Sequence, residues 1–248
     1  MTDFAIQLYS LRAVEDTLPQ TITRIGATDL SGVEFAGLDG AQTDDVRAAL
    51  DESGLAPVAA HVSLDDIESS PDEVAATYEA LGCEHIVVPW LDPEHFTSTA
   101  AVDAAANRLA TAADEMAERG FSFHYHTHDQ EFVDVKGELA LARLLDGADG
   151  VGLELDLGWA GAAGVDPIDT LNRFGDRIEL AHLKGYDRLG GDPCEVGAGA
   201  LNVEEAVGTA RDHDVAWLVF ESEADPDTYE ALDAAERVLS DLGSDGVL

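Results

Sequence analysis

The fold is decided by a stretch that reads VGLELDLGW, from Val151 to Trp159. It combines the apolar residues of a buried strand with acidic residues at its carboxyl end. Three other stretches repeat this pattern: FSFHYHTH (Phe121–His128), IELAHLKGY (Ile178–Tyr186) and AWLVFES (Ala216–Ser222). Side chains two positions apart on a strand share a face, so Glu154 and Asp156 should point the same way. Polar groups converging from successive strands indicate a site.

Four earlier predicted strands precede these, and an amphipathic segment follows each strand. The eight predicted strands are Phe4–Tyr9, Gly32–Phe35, Pro57–Ser63, His85–Trp90, Phe121–His128, Val151–Trp159, Ile178–Tyr186 and Ala216–Ser222. The clearest helix is Ala101–Arg119, with apolar residues at helical spacing and a glycine after it. Eight strand–helix repeats predict a single-domain (β/α)8 TIM barrel over residues 1–248.

A doubly wound open sheet is the competing fold. It usually has fewer repeats, and QLYSLR, residues 7–12, replaces the glycine-rich phosphate loop expected after the first strand. The longest irregular stretch, Asp187–Leu201, follows the seventh strand. In a barrel it would lie over the mouth, so we expect it to act as a lid.

The composition is strongly acidic, with 13 basic and 51 acidic residues and a net charge of −38. Only Lys136 and Lys184 are lysines. Such a surface is favoured in a salt-rich cytoplasm, where counterions screen carboxylate repulsion, so we interpret the charge as halophilic adaptation. It also disfavours nucleic acid as the main partner.

Other features of the sequence favour a cytoplasmic protein. The N-terminal MTDFAIQLYSLR lacks the basic and apolar regions of a secretory signal, and no apolar run is long enough to span a membrane. The two cysteines, Cys83 and Cys194, do not form a disulfide framework or a metal-binding pair. Nothing in the sequence decides whether the protein forms a homo-oligomer.

In such barrels the site forms at the carboxyl ends of the strands. The last four strands would bring His126, Asp156, His182 and Glu221 to one rim. Two imidazoles and two carboxylates suit one divalent ion such as Mn²⁺, Zn²⁺, Co²⁺ or Fe²⁺. Singly, each also has a structural explanation, because a strand histidine is often hydrogen-bonded in a core and a strand-end aspartate often caps a helix.

Lys184 and Glu154 are expected to support this site. Lys184 lies two residues after His182 and should face the same side, where it could act as an acid or base or balance the charge of an enediolate. A structural ion pair with Glu154 or Asp156 is the alternative. Glu154, one layer below Asp156, is expected to orient a ligand rather than bind the metal.

The first half of the chain supplies candidates for substrate binding at predicted strand ends. They are Gln7, Tyr9, Glu34, His61 and Trp90, and Glu154 of the sixth strand is grouped with them. Trp90 could stack on the apolar face of a sugar ring, although core packing explains Trp90 and Tyr9 equally well. His85 and His213 precede strands at the opposite end of the barrel and are expected to be structural.

Five segments resemble the sugar phosphate isomerases/epimerases, which have xylose isomerase-like barrels. They are IQLYSLR, GVEFAG, YHTHDQEF, LELDLGWA and HLKGYD. The superfamily also includes ketose 3-epimerases, inosose dehydratases and endonuclease IV. The resemblance implies one divalent metal, often Mn²⁺, held at His126, Asp156, His182 and Glu221.

One position departs from the ketose epimerases, which have a glutamate on strand five as the partner of the strand-eight glutamate. His126 occupies that position here, and Glu131 would substitute only if the following loop folds back. A His/Glu or Lys/Glu acid–base pair is therefore the alternative to two glutamates, and it would also suit dehydration.

The sequence thus predicts a metal-dependent enzyme that removes a proton next to the carbonyl of a sugar or polyol. Glu221 is the expected base, and His128 or Lys184 returns or relays the proton. Isomerisation or epimerisation is the first hypothesis, keto-sugar dehydration the second. The rivals are an endonuclease IV-like enzyme, which needs about three zinc ions, and a non-catalytic sugar-binding barrel.

Overall fold

Eight parallel strands close into a barrel in a computed structural model that describes residues 2–187, 191–223, 228–244 and 246–247. The barrel strands, numbered here β1 to β8, are Asp3–Gln7, Gly32–Phe35, Ala56–His61, His85–Val88, Ser122–His126, Val151–Asp156, Ile178–Leu183 and Trp217–Phe220. Each strand pairs with the next along the chain, and β8 closes the barrel on β1. The predicted (β/α)8 barrel is confirmed.

Helices surround the barrel and connect its strands. They are α1 Leu18–Ile25, α2 Thr43–Ser53, α3 Leu64–Ser69, α4 Pro71–Leu81, α5 Thr99–Ala117, α6 Ala140–Gly147, α7 Leu157–Ala162, α8 Pro167–Phe174, α9 Val203–Asp212 and α10 Glu230–Ser244. The predicted helix 101–119 corresponds to α5, which begins two residues earlier because Ser98 caps it by accepting the Ala101 N–H.

Several predicted strands end sooner than the sequence pattern suggests. The sixth stops at Asp156 rather than Trp159, because the Asp156 carboxylate caps α7 through the Trp159 N–H. The fifth stops at His126, and a short 3-10 turn over Gln130–Phe132 follows it. Each early stop leaves polar side chains at the barrel mouth.

The barrel encloses a small apolar layer, and polar groups lie on the carboxyl side of it. This layer contains six buried residues: Ala5, Val58, Ala59, Val87, Leu180 and Val219. Larger apolar side chains from the outward faces of the strands pack against the helices. On β5, for example, Phe123 and Tyr125 join that outer core while His124 and His126 do not.

The predicted lid, Asp187–Leu201, contributes one strand, Pro193–Cys194, to a short antiparallel hairpin whose other strand, Gly185–Tyr186, lies just before it. A Cβ atom on Gly185 would lie 2.3 Å from the Glu195 carbonyl oxygen, so the hairpin needs glycine there. Arg188 and the rest of residues 188–190 lie outside the described residues. In the described parts of the chain, none of the helices has the length and apolar character needed to cross a membrane.

Candidate metal centre and active site

The four predicted metal ligands come together at the carboxyl ends of β5 to β8. One ligand atom from each of His126, Asp156, His182 and Glu221 lies within 4.8 Å of the others. His126 Nε2 is 3.8 Å from Asp156 Oδ2, and His182 Nδ1 is 3.2 Å from Glu221 Oε2. All four side chains are buried.

Two buried glutamates hold the imidazole rings from behind. His126 uses Nδ1 to contact Glu154 Oε2 at 2.9 Å, and His182 uses Nε2 to contact Glu34 Oε2 at 2.7 Å. A carboxylate that contacts one imidazole nitrogen orients the ring and turns the other nitrogen toward the barrel mouth, where a metal ion would bind it. Consequently His126 Nε2 and His182 Nδ1 are the atoms presented to Asp156 and Glu221.

The hydrogen bonding of Asp156 fits a bound cation. Its Oδ1 accepts the Trp159 N–H at 2.8 Å, which uses one carboxylate oxygen for the helix cap. Its Oδ2 is buried and has no hydrogen-bond partner among the described residues. A buried polar atom without a partner is costly, and a metal ion would satisfy this one. Two imidazoles and two carboxylates are also a donor set that suits first-row divalent ions.

A second group of candidate ligands lies beside the first and shares two of its members. It consists of His61, His126, Glu154 and His182. Its atoms already form hydrogen bonds, because Glu154 Oε2 lies 2.8 Å from His61 Nε2 and 2.9 Å from His126 Nδ1. We therefore interpret this deeper group as the hydrogen-bonded support of the first.

Charge in this support is balanced between imidazoles and carboxylates. Burial alone would lower the pKa of His61, but the Glu34 and Glu154 carboxylates raise it to about 10. The pKa of Glu154 is held well below its usual range against burial by His182 and His61. The network thus keeps Glu154 ionised and His61 protonated.

Lys184 forms ion pairs with acidic residues of the site. Its Nζ lies 3.0 Å from Glu221 Oε2 and 3.5 Å from Asp156 Oδ2, and it also contacts the Glu223 carboxylate. These carboxylates raise the Lys184 pKa above its usual value although the side chain is buried. Of the two partners expected from the sequence, Asp156 forms an ion pair with Lys184, and Glu154 forms none with it in the described structure.

A cavity of about 490 Å³ opens over the cluster. It is lined by Tyr9, Ala36, His61, Pro89, Trp90, His126, His128, Trp159, Glu221 and Glu223. Tyr9 and Trp90 are 43% and 44% exposed, so they contribute aromatic surface to the cavity rather than to the core. The cavity has the size and mixed lining of a small-molecule site.

The substrate-binding candidates from the sequence divide into two groups. Tyr9, His61 and Trp90 line the cavity, whereas Gln7, Glu34 and Glu154 are fully buried and are not among its lining residues. Gln7 Oε1 accepts the Tyr9 N–H at 2.9 Å and so holds the turn after β1. In the described structure these three polar residues support the site from below.

His128, the candidate for proton relay, lies on the cavity wall among aromatic rings. Its ring centroid is 4.5 Å from that of Trp90 and 5.4 Å from that of Trp159. Burial and the nearby His126 and Lys184 lower its pKa to about 2. This imidazole is therefore neutral, which suits hydrogen bonding to a substrate oxygen better than storing a proton.

Glu131 does not join the four ligands. Its Oε2 accepts the His128 backbone N–H at 2.8 Å, and its Oε1 accepts the Tyr125 hydroxyl. The loop after β5 folds back, but Glu131 uses both oxygens to hold that loop. Of the two residues considered for the strand-five ligand, His126 rather than Glu131 lies in the cluster.

Two residues of the site were not singled out from the sequence. Glu223 contacts Lys184 and lines the cavity, and its position two residues after Glu221 is the signal that would have found it. Trp159 also lines the cavity, and Lys184 Nζ lies 4.8 Å from its ring centroid. The strand pattern placed Trp159 at the end of the sixth strand, whereas it belongs to α7, so the pattern did not identify it as a cavity residue.

The comparisons with known proteins agree with the fold. The family described as xylose isomerase-like TIM barrel matches residues 22–241. An inosose dehydratase from Lacticaseibacillus casei is 32% identical over 97 residues, which cover 38% of this chain and 31% of that enzyme. An inosose dehydratase from Geobacillus kaustophilus (strain HTA426) is 24% identical over 212 residues, covering 73% of this chain and 69% of that enzyme.

Solved structures share the architecture at low sequence identity. A sugar phosphate isomerase/epimerase from Parabacteroides distasonis superposes with a TM-score of 0.81 at 20% identity, over 96% of this chain and 94% of that chain. The IOLI protein, whose structure contains a zinc atom, superposes with a TM-score of 0.81 at 16% identity. The match covers 98% of this chain and 99% of that chain. At these identities the likeness concerns the fold.

Proposed function

We propose that this chain, which belongs to the xylose isomerase-like TIM barrel family, is a metal-dependent enzyme that removes a proton next to the carbonyl of a keto-sugar or keto-polyol. The observation that carries the proposal is the buried four-residue cluster under the aromatic cavity, in which Asp156 Oδ2 accepts no hydrogen bond from the described residues. His126, Asp156, His182 and Glu221 would hold one divalent ion. When bound, such an ion supplies Lewis-acid polarisation of the substrate carbonyl.

Glu221 is the proposed base because it is ionised and faces the cavity. Its pKa is held well below the usual range against burial by Lys184 and His182, so a proton acceptor is available at neutral pH. In this role it takes the proton from the carbon beside the carbonyl. Lys184, 3.0 Å away, balances the charge and holds the carboxylate in place.

Tyr9, Trp90 and Trp159 would bind the carbon skeleton of the substrate. Exposed aromatic rings pack against the C–H faces of sugars and exclude water from the reacting carbon. His128 would donate a hydrogen bond to a hydroxyl or carbonyl oxygen, since its imidazole is neutral.

Dehydration is the outcome that we propose first. Both relatives named above are inosose dehydratases, which supports loss of water from a keto-polyol. In this chain Glu221 would take the C–H proton, the neighbouring C–O bond would break, and Lys184 would give its proton to the departing hydroxide. The products are water and an unsaturated ketone, and Glu221 then returns its proton to Lys184.

Epimerisation or isomerisation is the second candidate, favoured by His61. This protonated imidazole lines the cavity from β3, whereas Glu221 lies after β8. A second proton source on another part of the wall could return a proton to a different face or carbon of the substrate. Both candidates share the first proton transfer.

Incubation of the metal-loaded protein with a panel of keto-sugars and keto-inositols in D₂O tests the proposal. Deuterium at the carbon beside the carbonyl supports the shared step. A product lighter by one water identifies dehydration, and an isomer of unchanged composition identifies epimerisation. Glu221→Gln should stop exchange, while the surface control Glu138→Gln should not. Binding of these compounds without exchange by the wild-type protein would instead indicate a sugar-binding barrel.

A further inference from the structure

A second group of metal-binding side chains lies at the amino-terminal end of the barrel, opposite the candidate active site. It consists of His85 at the start of β4, His124 in β5 and Glu179 near the start of β7. His124 is buried, and the His85 side chain is 12% exposed. The sequence predicted only a structural role for His85.

The ligand atoms of this group form a compact triangle. His85 Nδ1 lies 2.9 Å from His124 Nε2, and Glu179 Oε2 lies 3.6 Å from each of these nitrogens. The centre of such a triangle is about 2.0 Å from every corner, which is the length of a zinc–nitrogen or zinc–oxygen bond. One cation just above this centre would contact all three atoms at close to this distance and would leave a fourth position open on its other side.

Hydrogen bonding explains only part of this arrangement. A neutral pair of rings can share one proton between His85 and His124, but a separation of 3.6 Å is too long for a hydrogen bond from either ring to Glu179. The carboxylate nevertheless points at both nitrogens. Two imidazole nitrogens and a carboxylate oxygen gathered this closely form a donor set that a cation would stabilise by replacing the shared proton.

Two local backbone features build the triangle. The pairing of β6 with β7 shifts register between Leu153 and Glu154, so that Ile178 and Leu180 have partners and Glu179 is the extra residue of a bulge. A bulge turns its extra side chain away from the regular alternation. Here it brings Glu179 to His124, two strands away on β5, and to His85, three strands away on β4.

Gly152 provides the space between β5 and β7. A Cβ atom at this position would lie 2.3 Å from His124 Nδ1, so any other residue would displace the ring. The histidine can therefore lean over β6 only because β6 has no side chain there. A depression of about 240 Å³ lined by His124, Gly152, Asp176 and Glu179, among others, leaves the group open to solvent.

We propose that His85, His124 and Glu179 form a second metal site, which binds a divalent transition ion of the zinc type at the amino-terminal mouth of the barrel. Two imidazoles and one carboxylate supply three ligands, and a water molecule from the depression completes the tetrahedron. The ion connects the adjacent strands β4 and β5 to β7, which is separated from β5 by β6. It therefore stabilises the closed barrel. This site is separate from the ligands proposed for catalysis.

Metal binding to chelator-treated protein tests the assignment. Zn²⁺ stoichiometry is measured by elemental analysis after dialysis, and Co²⁺ binding by its visible absorption. The wild-type protein, the ligand variants Glu179→Gln and His85→Gln, and the control Asp176→Asn are compared at high KCl. Asp176 lines the same depression but is not part of the triangle, so its replacement removes the same charge as Glu179→Gln.

The proposal predicts one ion more per chain in wild-type and Asp176→Asn protein than in Glu179→Gln or His85→Gln protein. Zn²⁺ should also raise the melting temperature of wild-type and Asp176→Asn protein by several degrees more than that of the Glu179→Gln and His85→Gln variants. Activity with the loaded catalytic site should be similar in Glu179→Gln and wild-type protein. Equal stoichiometry and equal Zn²⁺-induced melting shifts in all four proteins would overturn it, whatever their activity.

Discussion

The orientation of His126 and His182 is defined by the contacts of their two ring nitrogens. Each ring has one nitrogen bonded to a buried glutamate and the other directed toward an acidic residue at the mouth. The sequence predicted the four side chains at the mouth because strand alternation and strand ends are local patterns. It did not predict that Glu34 holds His182, because that contact joins residues 148 positions apart.

Replacement of Glu34 by glutamine should weaken metal binding about 10- to 100-fold, the range typical of residues that orient a metal ligand. The neutral amide still reaches His182 but no longer increases the basicity of its ring. Metal affinity measured by competition with a chelator checks this, with Glu138→Gln as the surface control. An unchanged affinity would show that Glu34 is not needed to orient the ligand.

Replacement of Lys184 by methionine should reduce turnover about 10²- to 10⁴-fold, the usual contribution of a general acid or base. Methionine retains much of the side-chain volume but removes the charge that faces Glu221 and Asp156. Steady-state kinetics at matched metal content checks this. Full activity in the variant would remove Lys184 from the mechanism.

Glu131 should give the folding stability a pH dependence. Burial raises its pKa to about 7, so between pH 4.5 and 7 the folded state binds more protons than the unfolded state. Its contribution is therefore fully present below pH 4.5 and is lost as the pH rises through 7, by roughly 3 kcal/mol at most. Denaturant unfolding should show that the free energy of unfolding of the wild-type protein falls between pH 4.5 and pH 8. The fall should be smaller in the Glu131→Gln variant. Equal pH profiles for both proteins would contradict this origin.

At the scale of elements, the junction between β6 and α7 connects fold and site most directly. Asp156 ends the strand, caps the helix with Oδ1 and presents Oδ2 to the metal cluster. A period-two pattern through VGLELDLGW predicts a strand but cannot place its end, because the helix begins within the same apolar run. The bulge at Glu179 was likewise not predictable, since register depends on the neighbouring strand.

The two functions of Asp156 can be separated with paired variants. Asparagine caps helices about as well as aspartate, so Asp156→Asn should retain α7 and lose most metal binding. Asp156→Ala should also lose the cap, with a further destabilisation of about 0.5–2 kcal/mol. Unfolding of both variants in the presence of chelator measures the difference. Equal stabilities would indicate that the cap contributes little.

At the scale of the whole molecule, some arginines on the acidic surface each contact two carboxylates. Arg108 pairs with Asp65 and Glu68, and Arg143 pairs with Asp103 and Glu138. Eight strand–helix repeats made the barrel predictable from the sequence. The packing inside it was less predictable, because the order of side-chain layers depends on the stagger between strands.

The net charge of −38 predicts that stability depends on salt. Without counterions, repulsion among carboxylates opposes the compact state, and exposed ion pairs compensate only weakly. The melting temperature should therefore rise steadily between 0.1 M and 3 M KCl. A melting temperature independent of KCl would contradict halophilic adaptation as the reason for the composition.

An anomalous-difference map from crystals of the protein loaded with one divalent metal would show whether the four predicted ligands hold one ion. We predict a peak at the carboxyl ends of β5 to β8, about 2 Å from His126 Nε2, His182 Nδ1, Asp156 Oδ2 and a Glu221 oxygen. A peak bonded instead to His61 and Glu154, or no peak at this end of the barrel after loading, would contradict the account.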